Sequence, residues 1–523
     1  MHLASPHAVV LGSISFAVFW ILAVFPDFKL LPIGRTAGAL AGAVLMVVFN
    51  VESPEKAYEA VDLKIITLLF ATMVISVYLE KADMFRYLGG FLSWKSMGSK
   101  DLLCRVCILS AVCSALFTND TCCFVLTQFV LKLCKEKNLP PKPFLLALAT
   151  SANVGSVATP IGNPQNLVIA VQSGISFGRF VLGLLGAMAL GVCLNMALLL
   201  STYYKQLTSL EVSPYLDMSS SSSNGKEHQS ATPWTPFQSG NLYIPQEIFD
   251  EQLSNEAKSL QHAGNDISVQ DYAGMAQLDE CDHETVLQIL PPYQKPLLPA
   301  FNSWTKKRTF GQACVNNWRR WQKGIWKLSV YSVTASMLAA FLCGLDMAWT
   351  ALTAAVVLMA LDFCDAGILL EKVSYPLLVF FMGMFISVDG FNKTGIPEEF
   401  WNVVEPYADT TTIIGQTILT LVVIVLSNVA SNVPTVLLLG PKIASSTFER
   451  DRKSVPKAWL LLAWASTIGG NLTLVGSAAN LIVSEQAAKN EILSYDLTFF
   501  SHVLYGFPST LIIAICGVFL VHG

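Results

Sequence analysis

The residues with chemistry to offer sit in apolar surroundings. Asn119-Asp-Thr121 puts one carboxylate in the middle of the hydrophobic stretch 102–133, and an ionisable group in such a place is costly unless it has a use. Desolvation penalises the charge of Asp120, while amide donors and helix N-termini favour it, so a carboxyl balanced between them can take up and release a proton. Asp is also a good helix N-cap, and the two roles are compatible. Neutral hydrogen-bonding groups accompany it: Asn119, Thr121, Asn153, Ser156, Thr159, Asn163, Gln165 and Asn166 in the first half of the chain, and Ser431, Asn432, Thr435, Thr467, Asn471, Thr473, Ser477 and Asn480 in the second. This set contains no Arg or Lys. It leans toward a small, neutral, hydroxyl-rich solute or a cation rather than an organic dicarboxylate. Small and amide residues also glue membrane helices together, and that reading suits single Ser or Thr residues better than clustered Asn residues at matched positions. Cys104 and Cys107 lack a second pair or a nearby His, and no nucleophile–base pair is visible. Neither an enzyme nor a metal or cofactor site is expected.

These residues need helices to position them. Of the 523 residues, 53% are hydrophobic and 13% charged, against roughly 25% charged in a soluble domain, so the chain reads as an all-α polytopic membrane protein. A net charge of −4 gives no reason to invoke nucleic acid. Cys122, Cys123, Cys134, Cys193, Cys343 and Cys516 fall in apolar runs as small hydrophobes. Spanning runs lie at 8–26, 31–51, 63–80, 143–172, 178–204, 326–345, 347–361, 373–391, 457–490 and 499–520. Two of these ten are interrupted. The run 149–166, rich in Gly, Pro and Asn, predicts a helix that unwinds near Thr159–Gln165 and restarts, which is tolerated only where it lines a cavity. The segments 102–133 and 411–448 have polar centres and arms of about fifteen residues, and read as re-entrant hairpins.

The pattern recurs. Ile75-Ser-Val77 matches Ile386-Ser-Val388, Asn119 matches Asn432, and Gly162 and Asn166 match Gly476 and Asn480. Residues 1–206 and 326–523 are therefore two repeats, each with five crossings, one of them broken, and one hairpin. Five crossings force the second copy to insert upside down. Lys29, Arg35, Lys81, Arg86, Lys95, Lys100 and Lys132–Lys142 gather in loops that the positive-inside bias makes cytoplasmic, leaving the N-terminus outside. Residues 207–325 form a cytoplasmic, mostly disordered linker, and its Trp- and Lys/Arg-rich end (304–326) reads as an interfacial anchor. Asp362, Asp365 and Asp389 stand at segment ends and are expected to be solvated.

The runs Phe117–Thr121, Ser151–Gly155 and Ala158–Asn166 resemble the signatures of the arsenite permease and sodium/proton antiporter branch of the ion transporter superfamily. Pro32–Leu40, Asp101–Cys107 and Leu139–Ala147 look more narrowly like the plant silicon efflux transporters. The resemblance covers both membrane halves and not the linker. It implies proton-driven export of silicic acid, and of arsenite as a similar neutral hydroxide, across the plasma membrane. A sodium/proton antiporter or an anion transporter on the same scaffold is the alternative. The implied site comprises Asn119, Asp120, Asn153, Gly162, Asn163 and Asn166, with Asp120 carrying the proton; the lipid bilayer is the expected surrounding, and a homodimer is left open.

Overall fold

The computed structural model describes residues 4–24, 34–93, 98–216, 309–362 and 366–523, and the described elements are all helical. The first half runs α1 (Pro6–Val24), α2 (Gly34–Val48), α3 (Pro54–Glu59), α4 (Leu63–Lys81), α5 (Met84–Ser93), α6 (Ser99–Leu116), α7 (Asn119–Glu136), α8 (Pro141–Ser156), α9 (Pro164–Ser173) and α10 (Phe177–Leu216). The second runs α11 (Thr309–Leu342), α12 (Met347–Asp362), α13 (Ala366–Leu370), α14 (Tyr375–Lys393), α15 (Ile396–Val404), α16 (Ile413–Ala430), α17 (Asn432–Arg450), α18 (Val455–Gly469), α19 (Ala478–Ala488) and α20 (Phe499–Val518). Both halves belong to one compact unit.

Seven described helices, α1, α4, α10, α11, α14, α16 and α20, are long and apolar enough to cross a membrane, and α2 and α12 are shorter apolar helices. The chain is a polytopic membrane protein. In the interrupted runs neither half is long enough alone: α8 and α9 have 16 and 10 residues, α18 and α19 have 15 and 11. One expectation fails on length. The arms of the two hairpin segments are helices of 18 or 19 residues rather than fifteen, about 27 Å each at 1.5 Å per residue; Ile413–Ala430 would suffice to span by itself. The apolar pattern understated them because the polar positions near each tip continue the helix.

Local chemistry sets the helix starts. Asp62 accepts the N–H groups of Lys64 and Ile65 to open α4, Thr118 accepts from Thr121 to open α7, and Asn163 followed by Pro164 opens α9, all side chains suited to satisfying orphan N–H groups.

Helices α1, α2, α4, α12 and α14 pack together, with α2 against α14 and α4 against α12. In each pair the two helices run parallel. Thr36 at the start of α2 donates to the carbonyl of Pro376 at the start of α14, and beyond the other end Glu52 is ion-paired with Lys393. At the ends of α4 and α12, Lys81 Nζ lies 2.7 Å from Asp362. The Asp362 side chain is 4% exposed, so it is buried and paired, not solvated: its partner lies 281 residues away and nothing local announces it. Asp389 is more exposed and shares Lys393; Asp365 lies outside the described residues. Since α4 spans about 28 Å between the Glu52 end and the Lys81 end, the two pairs bind the halves together at opposite ends of this group. The linker assigned to 207–325 falls mainly on residues outside the described ones, and α10 and α11 continue past its boundaries, to Leu216 and back to Thr309.

Burial pushes the Glu52 carboxyl above its ordinary value, against the opposing pull of the Lys393 hydrogen bond. An acid whose folded value exceeds its unfolded one weakens the fold as pH rises through that window. Glu52→Gln should therefore hold or raise the melting temperature at pH 7, whereas Lys393→Met, which strands the buried carboxyl, should cost roughly 3 kcal/mol. Thermal melts of the two variants in detergent, at pH 5 and pH 7, check this.

Candidate functional site

Where α8 stops at Ser156 and α9 begins at Pro164, carbonyl groups lose their helical partners and must find others. Asn166 supplies them: its Nδ2 lies 3.0, 3.3 and 3.2 Å from the carbonyls of Ser156, Val157 and Thr159. Asn480 does the same for the break after α18, with Nδ2 at 2.9 and 3.1 Å from the carbonyls of Gly470 and Thr473. Both Asn side chains are fully buried. Gly162 is required by close approach, since a Cβ there would meet the Ser156 carbonyl oxygen at 2.2 Å.

The two breaks are tied to each other. Asn153 donates to Asn471 Oδ1 (2.8 Å) and Asn480 Oδ1 (3.0 Å) and accepts from Asn119 Nδ2 and Ser477 Oγ (2.9 Å each). Thr467 Oγ1 donates to Asn166 and accepts from Asn163 and Gln165, while Asn163 Oδ1 caps α9 on the N–H of Asn166. The first hairpin tip is fixed to the first break by the Asn119 N–H on the Gly162 carbonyl, 2.9 Å, and by Thr159 Oγ1 on the Ala115 carbonyl. At the second, Asn428 Nδ2 donates to the Gly469 carbonyl and Asn428 Oδ1 accepts from Thr473; Gly476 leaves room for it, because a Cβ would lie 2.5 Å from that oxygen. Thr121 is paired with Thr118. His502 is buried with Nε2 3.1 Å from the Asn471 carbonyl.

Beside this network lies a cavity of about 310 Å³. Of the residues singled out in the sequence, Asn119, Asp120, Gln165, Ser431, Asn432, Gly476 and Ser477 line it; Thr121, Asn153, Thr159, Gly162, Asn163, Asn166, Thr467, Thr473 and Asn480 do not. Two of the lining residues each hold a buried oxygen without a partner among the described residues, Asn432 Oδ1 and Ser427 Oγ. Ser431, joining α16 to α17, has φ 73° and ψ 157°, a conformation that costs a non-glycine residue about 1–3 kcal/mol and collects at functional positions. Trp20 of α1 donates its indole N–H to the Val429 carbonyl at the same tip, and Phe19, Phe380 and Phe381 complete an aromatic wall.

The expectation that no Arg or Lys attends the site is corrected here. Arg35 lines the cavity together with Asp120. Three residues after Pro32 it reads as a loop charge, but α2 begins at Gly34 and carries it in its first turn. Ser427 and Asn428 belong to the polar centre of the 411–448 segment, but they were not singled out for the site, because their register on the helix decides which face they present.

The sequence profile of the family described as "Citrate transporter", CitMHS, matches residues 17–463. A rice protein named "Silicon efflux transporter LSI3" is 49% identical over 521 residues, covering 100% of this chain and 99% of its own. A Dictyostelium discoideum protein named "Putative transporter arsB" is 32% identical, covering 94% of this chain and 87% of its own. The human "P protein" is 23% identical over 93% of this chain and 57% of its own.

The geometry separates residues that hold the breaks from residues that face the cavity. Asn166→Ala strips three carbonyls of a donor, at about 1–3 kcal/mol for each group left unsatisfied, and should lower folded yield and melting temperature sharply. Asn432→Ala removes an oxygen that has no partner and should leave both nearly unchanged. Size-exclusion profiles and melts of the two purified variants distinguish these outcomes.

Proposed function

Because the chain belongs to the CitMHS transporter family, we propose that it is a secondary active exporter of silicic acid, with arsenite as a second substrate, carrying protons in exchange across the plasma membrane. The whole-length 49% identity to a silicon efflux transporter carries this reading. The cavity supports it: one carboxylate, unpartnered amide and hydroxyl oxygens and an aromatic wall suit a small uncharged polyhydroxide. A tricarboxylate such as citrate would call for more cationic partners than the single Arg35.

In this reading the halves are inverted repeats. Support comes from the matched pairings of α2 with α14 and α4 with α12, of α7 with α19 and α17 with α9, and from the paired use of Asn166 and Asn480. With the linker cytoplasmic and the N-terminus outside, the starts of α2 and α14 lie at the inner face. The cavity, lined there by Arg35, Thr36, Ser374 and Pro376, then opens inward and stands ready to load solute for export. Asn119, Ser431 and Asn432 bind the solute at the hairpin tips, and Asn153, Asn163, Asn166, Thr467 and Asn480 keep the breaks in shape. Asp120 carries the proton. No hydrogen bond or ion pair reaches its carboxylate among the described residues, and its N-capping is done instead by Thr118.

Efflux of silicic acid and of arsenite from preloaded cells, with and without an inward proton gradient, tests the proposal; a flux indifferent to the gradient removes the proton coupling, and one inhibited or accelerated when sodium is replaced argues for the sodium/proton or anion alternative. Asp120→Asn keeps the side chain's size but removes its proton. It should abolish gradient-driven export while equilibrium binding of silicic acid by the purified protein survives within about twofold. Export against a gradient with unchanged pH dependence would leave Asp120 without this role.

A further inference from the structure

Arg35 is oddly placed for a structural residue. It stands in the first turn of α2, where the helix dipole disfavours a cation. Its guanidinium makes no hydrogen bond, ion pair or ring contact among the described residues, although it lines the cavity beside Asp120. A guanidinium cannot give up its proton in a protein, so Arg35 is a fixed charge and no part of a proton relay.

What that charge does follows from the groups opposite it. Asp120, Ser427, Ser431 and Asn432 line the same cavity, and their carboxylate, hydroxyl and amide oxygens are of the kind that small hard cations prefer. Without Arg35 this would be a serviceable site for a monovalent cation. With Arg35 in the same 310 Å³, a bound cation meets a like charge in a partly desolvated space where repulsion is strong, while an uncharged solute meets two balanced charges and pays nothing for either. An anion is opposed in turn by ionised Asp120. Among the described residues, these two are the ionisable side chains lining the cavity.

We propose that Arg35 is a specificity-determining residue that keeps sodium and similar monovalent cations out of the site, leaving it to uncharged polyhydroxide solutes. This deepens the functional reading above and rests on the cavity being the solute site. Like-charge exclusion, rather than the shape of the hairpin tips, then separates this chain from a sodium-coupled carrier.

The test is equilibrium binding of radioactive sodium to the purified full-length protein, beside silicic acid efflux measured with sodium present or replaced by a larger organic cation. Arg35→Gln and Arg35→Met both remove the charge with different shapes, and since Arg35 makes no hydrogen bond or ion pair among the described residues, both should fold, as melting temperatures will report. Each should gain saturable sodium binding at least tenfold tighter than the parent protein, and sodium should now inhibit efflux. Adding Asp120→Asn should abolish that binding, and Arg35→Lys, which keeps the charge, should behave like the parent. Sodium binding equal in the parent and both neutral variants overturns the proposal, as does sodium binding in Arg35→Gln that persists with Asp120→Asn. A parent protein that does not move silicic acid would sink the functional reading instead, and the sodium comparison would still decide the role of Arg35.

Discussion

A helix that stops inside apolar surroundings leaves carbonyl groups with nowhere to turn, and this molecule does it twice. Unsatisfied backbone at that depth costs several kcal/mol per group, so each break needs a donor built into the chain. Asn166 and Asn480 are those donors, bonded to carbonyls at equivalent positions with the same spacing. The two hairpin tips are fixed relative to them. Asn153 bridges the two breaks, the Asn119 N–H docks one hairpin tip onto the first, and Asn428 docks the other onto the second. A small solute can be met by directed oxygens and amides only because their backbones have no freedom to drift.

Around that network the helices divide their contacts unevenly. Helices α1, α2, α4, α12 and α14 pack chiefly among themselves and are fastened by the Lys81–Asp362 and Glu52–Lys393 pairs; α6 to α10 and α16 to α20 pack around the breaks. The cavity lies where the groups face each other, with Trp20, Arg35 and Phe381 from one and Asp120, Asn432 and Gly476 from the other. A site divided this way allows a relative shift of the groups to alter access without disturbing the hydrogen bonds that shape the breaks.

Much of this was legible in the sequence, because backbone constraints leave local marks. Gly162, Pro164 and Asn166 in an apolar run declare a broken helix, and the same Gly and Asn spacing at Gly476 and Asn480 marks a second break. Which side of the break each Asn serves was not legible. Asn166 and Asn119 have the same side chain and similar surroundings in the sequence, yet one is spent on backbone carbonyls and the other borders the cavity, and only the path of the unwound chain decides between them. Long-range charge was equally hidden. Asp362 and Glu52 find their lysines 281 and 341 residues away, and Arg35 reads as a loop charge until the first turn of α2 carries it to the cavity. The hairpin arms were read too short for a related reason: polar residues near a tip interrupt hydropathy without interrupting a helix.

In the proposed exchange, solute and proton cross through this one site in opposite directions. The most direct measurement is proton movement driven by solute alone: purified protein in sealed vesicles holding a pH-sensitive dye, with no initial pH gradient, the membrane potential clamped, and an outward gradient of silicic acid imposed. The vesicle interior should acidify as silicic acid leaves, at a rate set by the solute gradient and absent in protein-free vesicles. Silicic acid efflux at full rate with the internal pH unmoved would contradict that exchange.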